Sequence, residues 1–569
     1  MGEHTYTKSI IVCTFICFLL IASGNSLGSR FAIPQPLFSH ETLSFSEQNL
    51  IISPPEFYEA AITLAQFHTA EGISTIVVNT TWIYSNYDMA ENPPFKGYAT
   101  NPLSRLFIID YNDVLAKKII NFLRDNANHS QLEYVTLLGN GQFIPASYYI
   151  YSQMRQTKKL LQIIPIPDFY NNRIATDFFY TSPNYDFIPD YKVGRIPVST
   201  VDEADAVVHK IINWQENASW EWFQHVYVAG DQPNHPEEMD LEGCYAGEMI
   251  AVDAINHVYF QGMNITKLFW TEGKFNKQSI EDAMKQGDAG FLYVMAHGGV
   301  DRWGTYMETD PYVTADDILQ FPQNTHVPIV VSVACMCGAF DTYTAHPYTI
   351  SRGHTSLGES ILLSKGAGIA YIGTTRATLG SPLLYLNAGE LVITKEREIA
   401  GMLTSVFEAY HNGVVRLGDL TKTAIVTYLD ENTFSAKPEK DEAFVVLMSF
   451  VLLGDPALLL PAQQPETYPS YQQPHLSAQN PDGITSETYQ RPWYYTNISF
   501  TIQIETNSPQ IVVKLIDINT DVVVDRQTLS TVNDSAVYTF TSPNATRYLL
   551  RASAVDGREG WLYVTTKNM

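Results

Sequence analysis

Val327–Asp341, VPIVVSVACMCGAFD, is a run of branched apolar residues that stops at small ones and delivers Cys335. Its companion Gly290–Gly299, GFLYVMAHGG, has the same shape and delivers His297. Short apolar runs that end abruptly in alanine or glycine read as buried parallel strands running into loops. In an open α/β sheet, ligands gather outside the carboxyl ends of the strands, so a thiol and an imidazole at two such ends can meet at one edge. A thiol nucleophile and its base need that placement. Each half also has a plainer reading. Free cysteine is among the most often buried residue types, and a His-Gly at a strand end also serves as a core or capping histidine. The pair is sharper than either member.

Outward from this pair the chain alternates strands and helices. Ser53-Pro54-Pro55 opens a helix through Ala65 with a stop near Gly72, and Ser74–Asn79 reads as the strand that follows. Val114–Asn126 reads as a helix, and Tyr134–Leu138, closed by Gly139, and Lys192–Val198 as strands. Thr200 and Glu203 form a capping box ahead of a helix over Ala204–Trp214. His225–Ala229 is a strand ending at Gly230-Asp231, followed by a helix, the strand Thr266–Trp270 and another helix. After the cysteine strand come a helix near Gly358–Leu363, the strand Gly368–Thr374, helical patterns through Tyr428, and an apolar run Phe444–Leu453 closed by Gly454-Asp455-Pro456. Such alternation predicts a parallel sheet with helices on both faces. Two consecutive α/β units fit the pattern better than one sheet, over 25–220 and 221–461, with the boundary near Glu216–Phe223. Residues 462–491 turn to Pro, Gln, Ser and Tyr and read as an extended linker. Over 492–569, the runs SFTIQIE, IVVKLIDI, AVYTFTS and RYLLRASAV alternate as the strands of a small β-sandwich.

At 569 residues the chain needs more than one core. Lys8, the apolar run Ile10–Ala22 and then Ser23-Gly24 have the layout of a secretory signal peptide over 1–24. A retained anchor is the alternative. No second long apolar run follows, so no stable membrane insertion is expected after cleavage, and the mature chain is expected outside the cytoplasm. The net charge of −25, from 60 acidic against 35 basic residues, is broken by no basic block. That disfavours nucleic acid as a partner and favours cationic peptides or bound cations. Cys13 and Cys17 leave with the signal peptide, and Cys244, Cys335 and Cys337 make no disulfide framework. An odd thiol in a secreted chain invites the reactive-cysteine reading. Sequons at Asn79, Asn128, Asn217, Asn264, Asn497, Asn533 and Asn544 are available for glycosylation.

Around AHGG, with Trp303-Gly304 shortly after, and VACMCG, the sequence resembles the gingipain family of cysteine peptidases. LLGNGQFIPA at Leu137–Ala146, GIAYIGTT with Ser381-Pro382 beyond it, and LLGDPALLL at Leu452–Leu460 extend the resemblance over most of Glu56–Leu460. It implies two caspase-like subdomains followed by an immunoglobulin-like module, and hydrolysis of protein or peptide substrates with no cofactor required. By the same resemblance Cys335 is the nucleophile, His297 the base, and Gly298 and Cys335 supply the oxyanion-hole N–H groups. Asp231 matches an acidic position, usually glutamate in the family, that orients the histidine. Arginine-cleaving members carry a pocket carboxylate between that strand end and the next helix, where this chain has Glu237, Glu238, Asp240 and Glu242. Asp240 and Glu242 are the candidates to face a basic side chain, although acidic residues also favour a helix N-terminus for its own sake. Family members often carry calcium, and the acidic excess is compatible with it, but no loop shows a clean calcium-ligand spacing.

Departures from the family are as informative. Cys337 puts a second thiol beside the nucleophile, where it can compete, ligate a metal or be oxidised with it. The lead before the first α/β unit is too short for the large inhibitory propeptide of the secreted bacterial members, and their C-terminal export domain is not expected either. Two alternatives stay open: a legumain-like peptidase cleaving after Asn or Asp, although Val333 precedes Ala334 where that group has Glu, and a glycosylated surface-binding protein keeping a peptidase-like fold without catalysis.

Overall fold

Ten short apolar stretches pair into one sheet. They are β1 Asn49–Ser53, β2 Thr75–Asn79, β3 Tyr134–Leu138, β4 Lys192–Ile196, β5 His225–Gly230, β6 Asn264–Phe269, β7 Ala289–Met295, β8 Ile329–Val333, β9 Ala370–Thr374 and β10 Phe450–Leu453. The order across the sheet is β2-β1-β3-β4-β10-β9-β8-β7-β5-β6. The structure is a computed structural model and describes residues 46–90, 113–127, 131–150, 173–231, 246–257, 259–304, 313–342, 355–377, 384–387, 390–393, 399–432, 442–462, 474–481, 483–487, 493–517 and 522–568. The segment read as a signal peptide lies outside them.

Every residue of β1, β3, β7, β8, β9 and β10 is buried, whereas the edge strands β2 and β6 are only partly so. Because successive side chains point to opposite faces, a strand buried at every position is covered on both sides. Helices between the strands include α1 Tyr58–Ala70, α2 Asp113–Ala127, α3 Val201–Glu216, α4 Ala246–Asn256, α5 Lys277–Lys285 and α6 Leu357–Leu363. The Thr200 hydroxyl caps α3 by accepting from the Glu203 N–H at 3.2 Å. The other half of the expected box is not made, because the Glu203 carboxylate reaches back to the N–H and hydroxyl of Ser199, at 2.7 Å each.

Two separate sheets are expected from the pattern, and one is found. The apolar run Phe444–Leu453 is responsible: it divides into the end of a helix, Glu442–Ser449, and the strand β10. That strand pairs antiparallel with β9 and, through the single bridge Leu453–Arg195, parallel with β4. The last strand of the second half thus fills the seam with the first. Strand β1 went unread between the polar lead and the Pro-Pro turn that follows it.

The stretch expected as a linker also contributes structure. His475–Gln479 and Thr485–Glu487 are strands β11 and β12, ahead of β13 Trp493–Tyr495, β14 Ser499–Glu505, β15 Gln510–Asp517, β16 Val522–Ser530, β17 Ser535–Thr541, β18 Arg547–Ala554 and β19 Glu559–Lys567. They form sheets ordered β12-β11-β14-β17 and β13-β19-β18-β15-β16. Phe500, Ile502 and Ile504 of the first share a core with Val513, Leu515, Leu550 and Leu562 of the second, so the C-terminal unit is a β-sandwich.

A buried guanidinium stands on the strand that borders the seam in the large sheet. Arg195 on β4 is fully buried; its Nε and Nη2 donate to the Asp177 carboxylate at 2.8 and 2.7 Å, and its Nη1 to the carbonyls of Gly139 and Ile144 at 2.8 and 2.9 Å. Its flat face lies 4.1 Å from the ring centroid of Phe340, in the loop after Cys335. Removing one partner of a buried pair leaves the other charge uncompensated, typically at a cost of about 3–5 kcal/mol. Arg195→Met should therefore lower unfolding stability by about that much in denaturant titration, with Arg195→Met/Asp177→Asn recovering part of it. A change within error for Arg195→Met would show that the fork does not stabilise the fold.

Candidate active site

The three strands β5, β7 and β8 lie side by side and run parallel. In register, Gly230 and Val333 both stand opposite Met295, so the strands end together. Just past those ends come Asp231, His297 and Cys335. The ladder continues slightly beyond the strands: the Asp231 N–H donates to the Met295 carbonyl at 2.9 Å, and the Ala296 N–H to the Val333 carbonyl at 3.3 Å. Neighbouring strands are about 4.8 Å apart. One sheet edge therefore gathers the three candidate residues.

Glycine makes the approach between the histidine and cysteine turns possible. A Cβ on Gly298 would lie 2.4 Å from the Cys335 carbonyl oxygen, 2.8 Å from the Cys337 sulfur and 3.0 Å from the Ala334 Cβ. Only a residue without a side chain lets these backbones meet. Gly298 and Gly299 then pair antiparallel with Trp303 and Arg302 in a tight hairpin, closed by the Gly304 N–H on the His297 carbonyl at 2.9 Å. The Trp303 indole is fully buried and donates to Ser332 Oγ on β8 at 2.9 Å, tying the hairpin to the cysteine strand.

The cysteine turn is held from its other side by β9. Thr374 Oγ1 donates to the Ala334 carbonyl at 3.1 Å, the Met336 N–H to the Arg376 carbonyl at 3.2 Å, and the Gly338 N–H to the Thr374 carbonyl at 2.8 Å. Met336 has φ +62°, in the left-handed region. That conformation costs an ordinary L-residue roughly 1–2 kcal/mol, and such strain persists where the surroundings over-determine it. Behind the turn, Arg376 Nη1 and Nη2 donate to the Asp341 carboxylate at 3.0 and 2.6 Å, and the Tyr148 hydroxyl adds a hydrogen bond at 2.9 Å. Burial pushes the Asp341 carboxyl up, but the Arg376 charge and these hydrogen bonds outweigh it and hold its pKa below the usual value. Sequence reading missed this network. Its only trace was an Arg two residues beyond one strand and an Asp at the end of the cysteine stretch.

The two thiols differ sharply in environment. Cys335 is partly exposed, while Cys337 is fully buried. Cys337 Sγ lies 3.2 Å from the Gly299 carbonyl and 3.5 Å from that of Arg302. Burial, reinforced by Cys335 and Asp301 nearby, pushes its pKa well above the ordinary thiol value. Cys337 is a packing thiol that pins the hairpin, whereas the nucleophile must be a thiolate within reach of its target. Asp231 is almost completely buried. Glu237, Glu238, Asp240, Glu242 and Cys244 lie outside the described residues. Among the described residues no group of three or more His, Cys, Asp or Glu is placed to hold a metal ion, and no helix is long and apolar enough to cross a membrane.

A mainly parallel sheet that gathers a partly exposed thiol, an imidazole and a buried carboxylate at adjacent strand ends has the layout of a thiol-dependent hydrolase. Residues 43–461 match peptidase family C25, and the chain belongs to that family, the gingipain family. An uncharacterized protein of Archaeoglobus fulgidus is 28% identical over 409 residues, which is 70% of this chain and 91% of that one. The fold is shared with the complex of RgpB pro- and mature domains from Porphyromonas gingivalis, at TM-score 0.51 and 15% identity over 91% of this chain and 100% of that one. It is shared equally with the Arg-specific cysteine proteinase gingipain R (RgpB), at TM-score 0.51 and 14% identity over 92% and 98%.

The contrast between the thiols is directly measurable. A small alkylating reagent applied to the native protein should modify Cys335 within minutes and Cys337 only after denaturant is added, as read by peptide mass mapping. Equal modification of both in the native state would contradict the burial of Cys337.

Proposed function

We propose that the protein is a secreted cysteine endopeptidase that hydrolyses peptide bonds through Cys335 and His297, with Asp231 orienting the histidine. The observation that carries this is the convergence of the three residues on adjacent strand ends, with Cys335 partly exposed and its neighbour Cys337 buried. A free thiol has a pKa of about 8.5 and is only a few per cent thiolate at neutral pH. His297 takes its proton, and the thiolate adds to the substrate carbonyl. The N–H groups of Gly298 and Cys335 receive the oxyanion, each contributing roughly 3 kcal/mol when well aimed. His297 then protonates the leaving amine, and water hydrolyses the acyl-enzyme.

Cleavage after Arg or Lys is favoured over cleavage after Asn or Asp. The net charge of −25 concentrates cationic peptides. Asp240 and Glu242 fall just before α4, where a carboxylate can pair with a basic side chain and be left unpaired by any other. One structural neighbour is itself named as Arg-specific. We read the C-terminal sandwich as immunoglobulin-like and residues 1–24 as the export signal. Of the sequons, Asn217, Asn264, Asn497, Asn533 and Asn544 are exposed and suited to carry glycans.

Two measurements test this. Cys335→Ala should abolish hydrolysis, and Asp231→Asn should lower turnover by about tenfold or more with the circular dichroism spectrum unchanged. Unchanged turnover in Asp231→Asn would make it a structural carboxylate. A peptide library varied before the scissile bond should show a preference for Arg or Lys that Asp240→Ala or Glu242→Ala weakens. A preference for Asn or Asp, or an Arg preference indifferent to both substitutions, would sink the pocket assignment and leave the dyad standing.

A further inference from the structure

A buried charged cluster lies between the β-sandwich and the large sheet, at the first turn of the helix that follows Asp231. Arg551 on β18 is almost completely buried, and its guanidinium faces the α/β domain. Nε and Nη2 donate to Glu559 Oε2 at 3.0 and 2.8 Å, within the sandwich. Nη1 crosses the interface and donates to Glu248 Oε2 at 2.7 Å and to Thr271 Oγ1 at 2.8 Å. Thr271 closes the triangle, donating from its N–H to Glu248 Oε1 at 2.6 Å and from its hydroxyl to Glu248 Oε2 at 2.8 Å. The Glu559 backbone is also clamped, its N–H and carbonyl pairing with the side-chain amide of Asn256 at 2.7 and 2.8 Å.

Glu248 sits in the first turn of α4, and that turn rests on the backbone of the strand end carrying Asp231. A Cβ on Gly247 would lie 2.1 Å from the Asp231 carbonyl oxygen, and one on Gly230 would lie 2.8 Å from the Glu248 Cα. Backbone meets backbone there with no side chain between, so a displacement of the α4 turn is passed to Asp231 undamped. Productive geometry at a site tolerates about 0.5 Å, and an error of 1 Å can cost about 100-fold.

We propose that Arg551 is a positioning residue for the active site, holding Glu248 and hence the α4 turn so that Asp231 stays aligned on His297; the sandwich is then a working part of the catalytic unit. This rests on the assignment of Asp231 as the partner of His297. Thr271 and the neighbouring pairs Lys267–Glu559 and Lys514–Glu272 fix the same interface, and Asn256 ties the far end of α4 to Glu559, but it is Arg551 that reaches Glu248 in the first turn of α4, the turn that touches Asp231. With Arg551 removed, Glu248 is left buried without its counter-charge. Burial already raises its pKa to about 7 against the pull of Arg551 and the Thr271 hydrogen bonds, so it becomes neutral and its grip on the turn weakens.

The test is a double-mutant cycle between Arg551→Met and Asp231→Asn in the full-length protein, with two readouts. One is the pH profile of Cys335 alkylation by iodoacetamide, which reports the thiolate and needs no substrate; the other is kcat and KM on a peptide. Asp231→Asn is expected to shift the midpoint of the alkylation profile upward by about one pH unit. Arg551→Met should shift it in the same direction and lower kcat with KM nearly unchanged, and the double variant should be no worse than Asp231→Asn alone. No shift in Asp231→Asn would overturn the assignment of Asp231. A shift there, with Arg551→Met either silent or fully additive, would overturn the proposal while leaving that assignment intact. Should Arg551→Met fail to fold, Arg551→Lys, which keeps the charge but loses the fork, carries the same cycle with the same outcomes.

Discussion

Burying a guanidinium is costly unless its N–H groups find acceptors and its charge finds a carboxylate. This protein does it at Arg195, Arg376 and Arg551, each almost completely buried and each donating to a carboxylate through more than one nitrogen. All three sit where separate parts of the chain meet. Arg195 joins β4 to the loop after Cys335, Arg376 joins the end of β9 to that same loop, and Arg551 joins the sandwich to α4. A planar fork accepts little error in distance or angle. Pairs of this kind gain little net energy over apolar packing, but they hold one arrangement and penalise others. The turn that presents Cys335 is gripped by two of them.

Lys210 extends the same logic without a carboxylate. From α3, in the first half, its ammonium donates to the carbonyls of Ser364 and Gly368 at 2.7 and 2.8 Å, beyond the end of α6 in the second half. These include carbonyls left over at a helix C-terminus, and burial pushes the Lys210 pKa down to about 7. The opposite end of α6 meets the cysteine turn, with the Gly358 N–H on the Cys337 carbonyl at 2.8 Å. This helix is thus anchored at one end by the first half and at the other by the cysteine turn.

Much of this layout was legible in the sequence, and what was not has a common cause. β3, β7 and β8 were visible because a strand buried on both faces is apolar along most of its length, and the turns after them are marked by glycine or alanine. That Cys335, His297 and Asp231 stand at strand ends followed from those runs. That β5, β7 and β8 are neighbours did not, since strand order depends on crossovers that leave no local mark. Phe444–Leu453 shows the same limit: an apolar run does not say where helix gives way to strand. His475–Gln479 sits among Pro, Gln and Ser and lacks a strand's composition; it is a strand because β14 offers it a partner. The buried arginines were invisible for a related reason. A charged residue in a strand pattern, as at Arg195 and Arg551, or just past a strand, as at Arg376, looks like a solvent-facing position until the fold supplies its carboxylate.

Two cysteines separated by one residue face opposite fates because of the turn between them. Met336 adopts the left-handed conformation, which reverses the chain sharply and sends Cys335 and Cys337 into different surroundings. Cys337 is driven under the Gly298–Gly299 hairpin, where burial keeps its thiol protonated, and Cys335 stays at the sheet edge. Strain at Met336 is thus tied to selection between the thiols, and three neighbouring features hold it in place: the Arg376 carbonyl, Thr374, and the absence of a side chain at Gly298. A second thiol beside a nucleophile is a liability only where it can ionise. Here it is closed off by the same contacts that set the distance between the histidine and cysteine turns.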